Sequence, residues 1–307
     1  MNRRRWFFVF SVLSCASLSL VDSTRARGDF PVREACLLEE EFPAKLSETG
    51  FYASIGEKRF VDSMVPYEVS SSFWNDGAQK QRHFRLPAGK TIGFRATEPW
   101  EFPDGTLFVL TLFLEEGDAR LYVETRVIRL HGDHLHFATY TWNAEQDEAT
   151  LTPEGDLVYA NYGKSSQVWQ IADVADCFEC HNTASQLMLG VKTSQMNRLV
   201  AGEDGPVNQL RRLADKGWLT GLPEDLVGLP SQPNPLDAQA PLDARARSYL
   251  DTNCASCHRP GGQGSGTLDL RLETPIHLSG LIRLNDKFEP TRGSLVPGHP
   301  RRSKLVR

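Results

Sequence analysis

Alternation of apolar and polar side chains is clearest in the first half of the chain. Leu121, Val123, Thr125 and Val127 occupy every second position, and a similar run covers residues 135–142. A period of two over such lengths is typical of antiparallel strands with one buried face. Turn-forming pairs that contain glycine separate the runs. The pattern predicts an antiparallel β-sandwich-like domain over residues 30–170.

The pattern changes near residue 171, where helical spacing and loop-forming residues replace alternation. Leu210, Leu213 and Trp218 recur on one face of a predicted helix. Five prolines follow within residues 221–241, which indicates a linker or an extended loop. A further predicted helix then leads directly into Cys254.

The N-terminus has the pattern of an export signal. Residues 3–5 are arginines, and the apolar run that follows, residues 6–21, is too short for a comfortable membrane span. Cleavage can be placed after residue 26, which makes 1–26 a signal peptide, or before Cys15, as in a bacterial lipoprotein. An uncleaved membrane anchor is the alternative. The pattern predicts a periplasmic or exported protein, tethered to a membrane if Cys15 is lipidated.

Composition and charge narrow the classes of partner. The chain has 307 residues, of which 40% are apolar and 24% charged, as in soluble proteins with a substantial core. Its net charge of −5 argues against a nucleic-acid binder that neutralises phosphates. Either cleavage removes a net three positive charges and leaves a mature chain at −8. We therefore expect a partner with a basic docking patch.

Two cysteine-histidine motifs carry the candidate chemistry. Cys177, Cys180 and His181 form the first motif, and Cys254, Cys257 and His258 form the second. Two thiols three residues apart can each form a thioether with one vinyl group of a haem, and the next histidine then lies under the iron. Attachment of this type occurs outside the cytoplasm, in agreement with the export signal. The motifs predict two covalently bound haem c groups, with both histidines as proximal ligands.

Three other readings of the cysteines remain. A thioredoxin-like redox pair would need a βαβ setting, which the pattern lacks. Four cysteines and two histidines could bind zinc, although the two pairs are far apart and the immediate histidine is unusual for such sites. Two disulfides would each close a small, strained ring.

The motifs complete the predicted architecture, which is a multidomain α+β protein. The β domain is followed by two small α-helical cytochrome c-type haem modules. The first is expected over residues 171–225 and the second over 243–307, with a proline-rich linker at 226–242.

The sixth ligand of each iron is less constrained. Met196 and Met188 follow His181 and are the candidates for the first haem, with Met64 or a histidine as the remaining choices. No methionine follows His258, so His277 and His299 are the local candidates for the second haem. A five-coordinate iron, or a ligand from outside the chain, is the alternative there.

Other recognisable segments lie in the β-rich half and near the C-terminal end. They are Val65–Tyr67, Phe73–Arg82, Leu86–Gly89, Trp100–Thr106, Tyr140–Asn143, and Leu295–Pro300 with Ser303. Together with the two motifs, these segments resemble a poorly characterised bacterial family of two-haem (diheme) c-type cytochromes with an N-terminal β domain. The resemblance implies covalent haem on both cysteine pairs and names no substrate.

The resemblance also includes one departure. In related cytochrome c modules, a Pro-Gly-x-Pro-x-x-Ser segment such as residues 297–303 precedes a Met-Pro segment that supplies the sixth ligand. This chain reaches Arg307 first. The second module is therefore expected to be truncated.

These observations favour an electron carrier that exchanges single electrons with a redox protein partner. No catalytic residue is predicted. One alternative is a haem enzyme that reduces peroxide or another small oxidant at an open iron beside His258. The other is a sensor or binding module in which the β domain recognises a ligand.

Overall fold

A six-stranded antiparallel sheet is the largest element of the computed structural model, which describes residues 42–132, 134–264, 266–282 and 294–306. Contacts divide the chain after Glu34, and every described residue lies in the unit Ala35–Arg307. The predicted signal peptide, Cys15 and Cys36 lie outside the described residues.

Most strands precede residue 172 and the α-helices follow it. The strands are β1 Tyr52–Ser54, β2 Arg59–Phe60, β3 Val65–Pro66, β4 Gln79–Arg85, β5 Ile92–Gly93, β6 Leu107–Glu116, β7 Ala119–His131, β8 His134–Trp142, β9 Ala149–Leu151, β10 Asp156–Tyr162, β11 Ser165–Ile171, β12 Leu199–Val200, β13 Val207–Asn208 and β14 Leu219–Thr220. The α-helices are α1 Val174–Cys180, α2 Thr193–Met196, α3 Gln209–Asp215 and α4 Leu242–Asn253. Short 3-10 turns cover Leu46–Thr49, Pro300–Arg302 and Lys304–Val306.

The large sheet has the strand order β3-β4-β6-β7-β8-β9. The predicted alternating runs lie in β7 and β8, which pair antiparallel. Gly117 and Gly132 occupy the turns at the two ends of β7 with φ of 58° and 61°, a left-handed conformation that glycine adopts without steric cost. The hairpin β10–β11 forms a separate two-stranded sheet.

Both faces of the large sheet bury apolar side chains. One face carries Val109, Val127 and Tyr140 in a first core cluster. The opposite face contributes to a second core cluster, whose buried members are Val65, Phe84, Ile92, Trp100, Phe108, Val191, Met196, Leu210, Leu213 and Leu219.

The prediction of a multidomain α+β protein, in which two small α-helical haem modules follow the β domain, is wrong. The protein is mostly β, and its described α-helices have seven, four, seven and twelve residues. Helices this short bury too little to form a separate core. Residues after the first motif instead complete the second core cluster with the sheet, and β14 pairs in parallel with β5.

The described residues around the second motif form a small core of three buried apolar side chains, Ala255, Leu270 and Leu281. Polar contacts supplement it. The Arg247 guanidinium donates to the Thr274 carbonyl at 2.6 Å and also contacts neighbouring carbonyls. The segment therefore has an apolar centre without the helical packing that was predicted.

The proline-rich segment 226–242 lies against its neighbours through Gln232, which is 4% exposed. Its backbone N–H donates to the Ser194 carbonyl at 2.9 Å, and its side chain contacts Ser248. Among the described residues, no helix has the length and apolar character needed to cross a membrane.

Replacing Leu213 by alanine tests the shared core. Leu213 lies on α3 and is fully buried. We expect Leu213→Ala to lower the free energy of unfolding by about 2–5 kcal/mol, the usual cost of such a cavity. The sheet and the segment after the first motif should lose structure together, as measured by urea unfolding followed by tryptophan fluorescence and circular dichroism.

Leu236→Ala is the matched control, because Leu236 is 86% exposed. It should change stability by no more than about 0.5 kcal/mol. Separate transitions in Leu213→Ala, with the sheet unaffected, would contradict a shared core.

Candidate haem attachment sites

The first motif lies on α1, which begins with a capping box. The Asp173 carboxylate accepts from the Asp176 N–H at 2.7 Å, and the Asp176 carboxylate accepts from the Asp173 N–H at 3.3 Å. Cys177 and Cys180 are three residues apart on this helix and so share one face. The His181 N–H donates to the Cys177 carbonyl at 3.0 Å and ends the helix.

The His181 ring is oriented by a backbone carbonyl. Its Nδ1 lies 2.7 Å from the Leu187 oxygen, a carbonyl that can only accept, so Nδ1 carries the proton. Nε2 then keeps its lone pair, which is the form of imidazole that binds a metal. Burial lowers the pKa of His181, which favours the same neutral form.

Aromatic rings connect the first motif to the large sheet. Phe137 on β8 lies 4.9 Å from the Phe178 ring and 5.4 Å from the His181 ring, centre to centre. The sheet therefore shields one side of the first motif from water.

The second motif repeats the local geometry of the first. It follows α4, and the His258 N–H donates to the Cys254 carbonyl at 2.8 Å. The buried Nδ1 of His258 has no hydrogen-bond partner among the described residues. A Cβ placed on Gly264 would lie 2.6 Å from this nitrogen and 2.8 Å from the Cys257 oxygen, so only glycine leaves the ring its space.

All four described cysteines are free and partly buried. Burial raises the pKa of Cys177 to about 12, against a smaller lowering by the nearby Arg126 guanidinium. Burial also raises the pKa of Cys180 and Cys254. Burial therefore favours the protonated form of Cys177, Cys180 and Cys254.

The two motifs lie next to each other although they are far apart in sequence. After burial, the strongest influence on the pKa of Cys180 is the Cys257 thiol, which raises it, followed by the Ser256 hydroxyl, which lowers it. Cys180 ends α1, and Cys257 follows α4. The fold therefore brings the C-terminal end of α1 close to the second motif.

Polar contacts from α4 to other parts of the chain hold this arrangement. The Lys192 ammonium lies 2.8 Å from the Asp251 carboxylate, which is 3% exposed. The Asn253 side chain accepts from the Trp74 N–H at 2.7 Å, and the Gln195 amide donates to the Thr252 hydroxyl at 2.9 Å. Sequence reasoning did not assign these roles, since nothing local marks a residue as the partner of one so distant.

An ion pair on β7, between the fully buried Glu124 and the partly buried Arg126, lies near the first motif. The fully buried Glu124 carboxylate accepts from Arg126 Nε at 2.6 Å and from the Ala172 N–H at 3.3 Å. Arg126 influences the pKa values of Cys177, Cys180 and His181. In the sequence, both residues read only as the polar positions of an alternating strand.

The candidate sixth ligands occupy different environments. Met196 is 1% exposed in the second core cluster, and its sulfur lies 3.6 Å from Gln209 Nε2. Met188 packs against the same cluster and is partly buried. His277 and His299 are both exposed. Their roles as ligands remain predictions.

Two further observations concern the zinc and disulfide alternatives for the cysteines. Within the described ranges, no group of three or more histidine, cysteine or acidic side chains is arranged to hold a metal ion. The four described thiols form no disulfide with each other.

Replacing Gly264 by alanine tests the packing around His258. The added methyl group would overlap the imidazole, so we expect stability to fall by about 1–3 kcal/mol, as for other overpacked sites. Gly56→Ala is the control, because a Cβ placed on Gly56 would have no described atom within 4 Å. Urea unfolding midpoints measure both effects, and equal midpoints for the two variants would show that the close approach is unimportant.

Comparison of the chain with protein-family models, with curated proteins and with solved structures finds no match. The resemblance to two-haem cytochromes therefore stays a prediction from the segments that carry it.

Proposed function

We propose that this chain is an exported diheme c-type cytochrome that transfers single electrons to or from a redox protein partner. The observation that carries the proposal is the shared geometry of the two motifs. In each, the histidine N–H bonds to the carbonyl of the first cysteine, so two thiols and one imidazole are held in a fixed relation.

Each residue of a motif has a distinct role in this proposal. The two cysteines hold the haem covalently through thioethers, and the histidine supplies the axial nitrogen. Leu187 orients His181 through its carbonyl, and Phe137 excludes water from that side. When bound, haem supplies a one-electron iron couple whose potential depends on its axial ligands.

The proximity of Cys180 to the second motif supports exchange of electrons within the chain. Groups attached at these two motifs would lie close together, because the thiols that hold them are neighbours. An electron could then enter at one site and leave at the other.

The charge of the chain supports a basic partner. The net charge is −5 for the full sequence and −8 after either predicted cleavage. Opposite charges on the partner would accelerate association, and salt would slow it. The export signal favours exchange in the periplasm or outside the cell, with a membrane tether only if Cys15 carries lipid.

A second candidate function is reduction of a small oxidant at the site of His258. The observation that favours it is the exposure of both local histidine candidates, His277 and His299. An iron without a sixth protein ligand could bind a small molecule. A haem-based sensor would share this feature.

The number of covalent haems tests the leading proposal. After export in a bacterium that matures c-type cytochromes, we expect two haems per chain, measured by the pyridine haemochrome assay, and haem stain on a denaturing gel. The double variant C177A/C180A should retain one haem, and so should C254A/C257A. An unstained wild-type chain would contradict every haem function proposed here.

The optical spectrum separates the electron carrier from the alternatives. We expect two low-spin haems in the reduced protein, with no spectral change on adding CO, if both irons have two protein ligands. A high-spin component that shifts with CO would instead support the enzyme or the sensor. Repeating the measurement on C254A/C257A would show whether the open iron belongs to the second motif.

A further inference from the structure

A cavity of about 600 Å³ opens at the edge of the large sheet, beside β3 and β4. The strand β3 pairs with β4 only at His83 and Phe84. Beyond that pairing, Lys80 and Arg82 lie on the same side of β4, because side chains two apart in a strand share a face. Both residues line the cavity.

The charged groups of this cavity are mostly positive. Lys58, Lys80, Arg82 and Arg198 line it, and Glu68 is the acidic residue among its described lining side chains. Arg198 lies 2.9 Å from the Glu68 carboxylate, which offsets one of the four positive charges.

The other three cations donate to neutral acceptors. The Lys80 ammonium bonds to the Phe73 carbonyl at 2.6 Å, and Arg82 bonds to the Ser72 hydroxyl at 2.8 Å. Lys58 bonds to backbone carbonyls and lies over the Trp142 ring, 4.4 Å from its centre. Half-buried cations whose described hydrogen-bond acceptors are neutral carry an electrostatic cost that an anion in the cavity would remove.

The pKa of Lys80 agrees with an excess of positive charge. Burial, followed by the Arg82 and Arg126 guanidiniums, lowers this pKa to about 7, and Glu124 opposes the shift only in part. Burial likewise lowers the pKa of Arg82.

We propose that this basic cavity binds an anionic group of the carboxylate or phosphate class, with Lys80 and Arg82 as its principal ligands. Arginine and lysine form short, charge-assisted hydrogen bonds to such groups. Two sources of the group are chemically equivalent. One is a dissolved anion, and the other is a propionate of a haem held at the first motif, because Arg126 interacts with Cys180 and lies in register with Arg82 through Leu110 of β6. Only the second source rests on the proposed function.

The experiment compares the exported wild-type chain with Lys80→Met, Arg82→Gln and Arg85→Gln. Arg85 is the matched control, since it lies on the same strand as Arg82 and on its opposite face. Inorganic phosphate is titrated into each protein by calorimetry, and the midpoint potentials of the haems are measured by redox titration in phosphate-free buffer.

If the natural ligand is a dissolved anion, the wild-type protein should bind phosphate. Lys80→Met and Arg82→Gln should then bind it at least about tenfold more weakly. If a haem propionate occupies the cavity, the wild-type protein should bind no phosphate. Removing a positive charge would then favour oxidised iron by about three- to tenfold in Lys80→Met and Arg82→Gln. At about 59 mV per tenfold for one electron, the potential would fall by about 28–59 mV.

The proposal is overturned if neither phosphate affinity nor potential changes, or if Arg85→Gln changes them as much as Arg82→Gln. Circular dichroism of each variant shows that it remains folded. A wild-type chain without haem would refute the proposed function, while the phosphate titration would still test the basic cavity.

Discussion

Burial of apolar side chains between the large sheet and the chain after the first motif is the constraint on which the rest of the structure depends. Phe84 and Phe108 come from the sheet, whereas Met196, Leu210 and Leu213 come from beyond the first motif. The helices α2 and α3 are each too short to be stable alone, so this packing is what holds them in place. The helix α1 supplies no side chain to this cluster, and its Phe178 ring packs against Phe137 of β8 instead.

The second motif depends on the sheet less directly. Its own apolar cluster is small, and α4 is joined to the rest through Asp251, Thr252 and Asn253. The Asp251–Lys192 pair combines a nearly buried carboxylate with a partly exposed ammonium, a kind of pair that specifies geometry more than it adds stability. Apolar packing therefore positions the first motif, whereas directed polar contacts align the second beside it.

The incorrect expectation of two helical haem modules has a physical cause. The helix predicted from the spacing of Leu210, Leu213 and Trp218 forms as α3 but ends at Asp215, before Trp218, and an amphipathic face does not reveal what it packs against. The nearest apolar surface proved to be the sheet. The β-rich half was easier to predict, because alternation in β7 and β8 reports a buried face directly, and the glycines at their ends permit the turns.

The sequence by itself determined what depends on neighbours a few residues away: the strands, their turns and the relation of two thiols to one histidine in each motif. Only the tertiary structure decided that Cys180 lies near the second motif, that Leu187 orients His181, and that the Arg126–Glu124 pair lies near the first motif. It also collected Lys80 and Arg82 with two distant cations around one cavity. The reason is that residue spacing constrains local hydrogen bonds and helix or strand faces, whereas contacts between distant segments depend on how the whole chain buries its apolar surface.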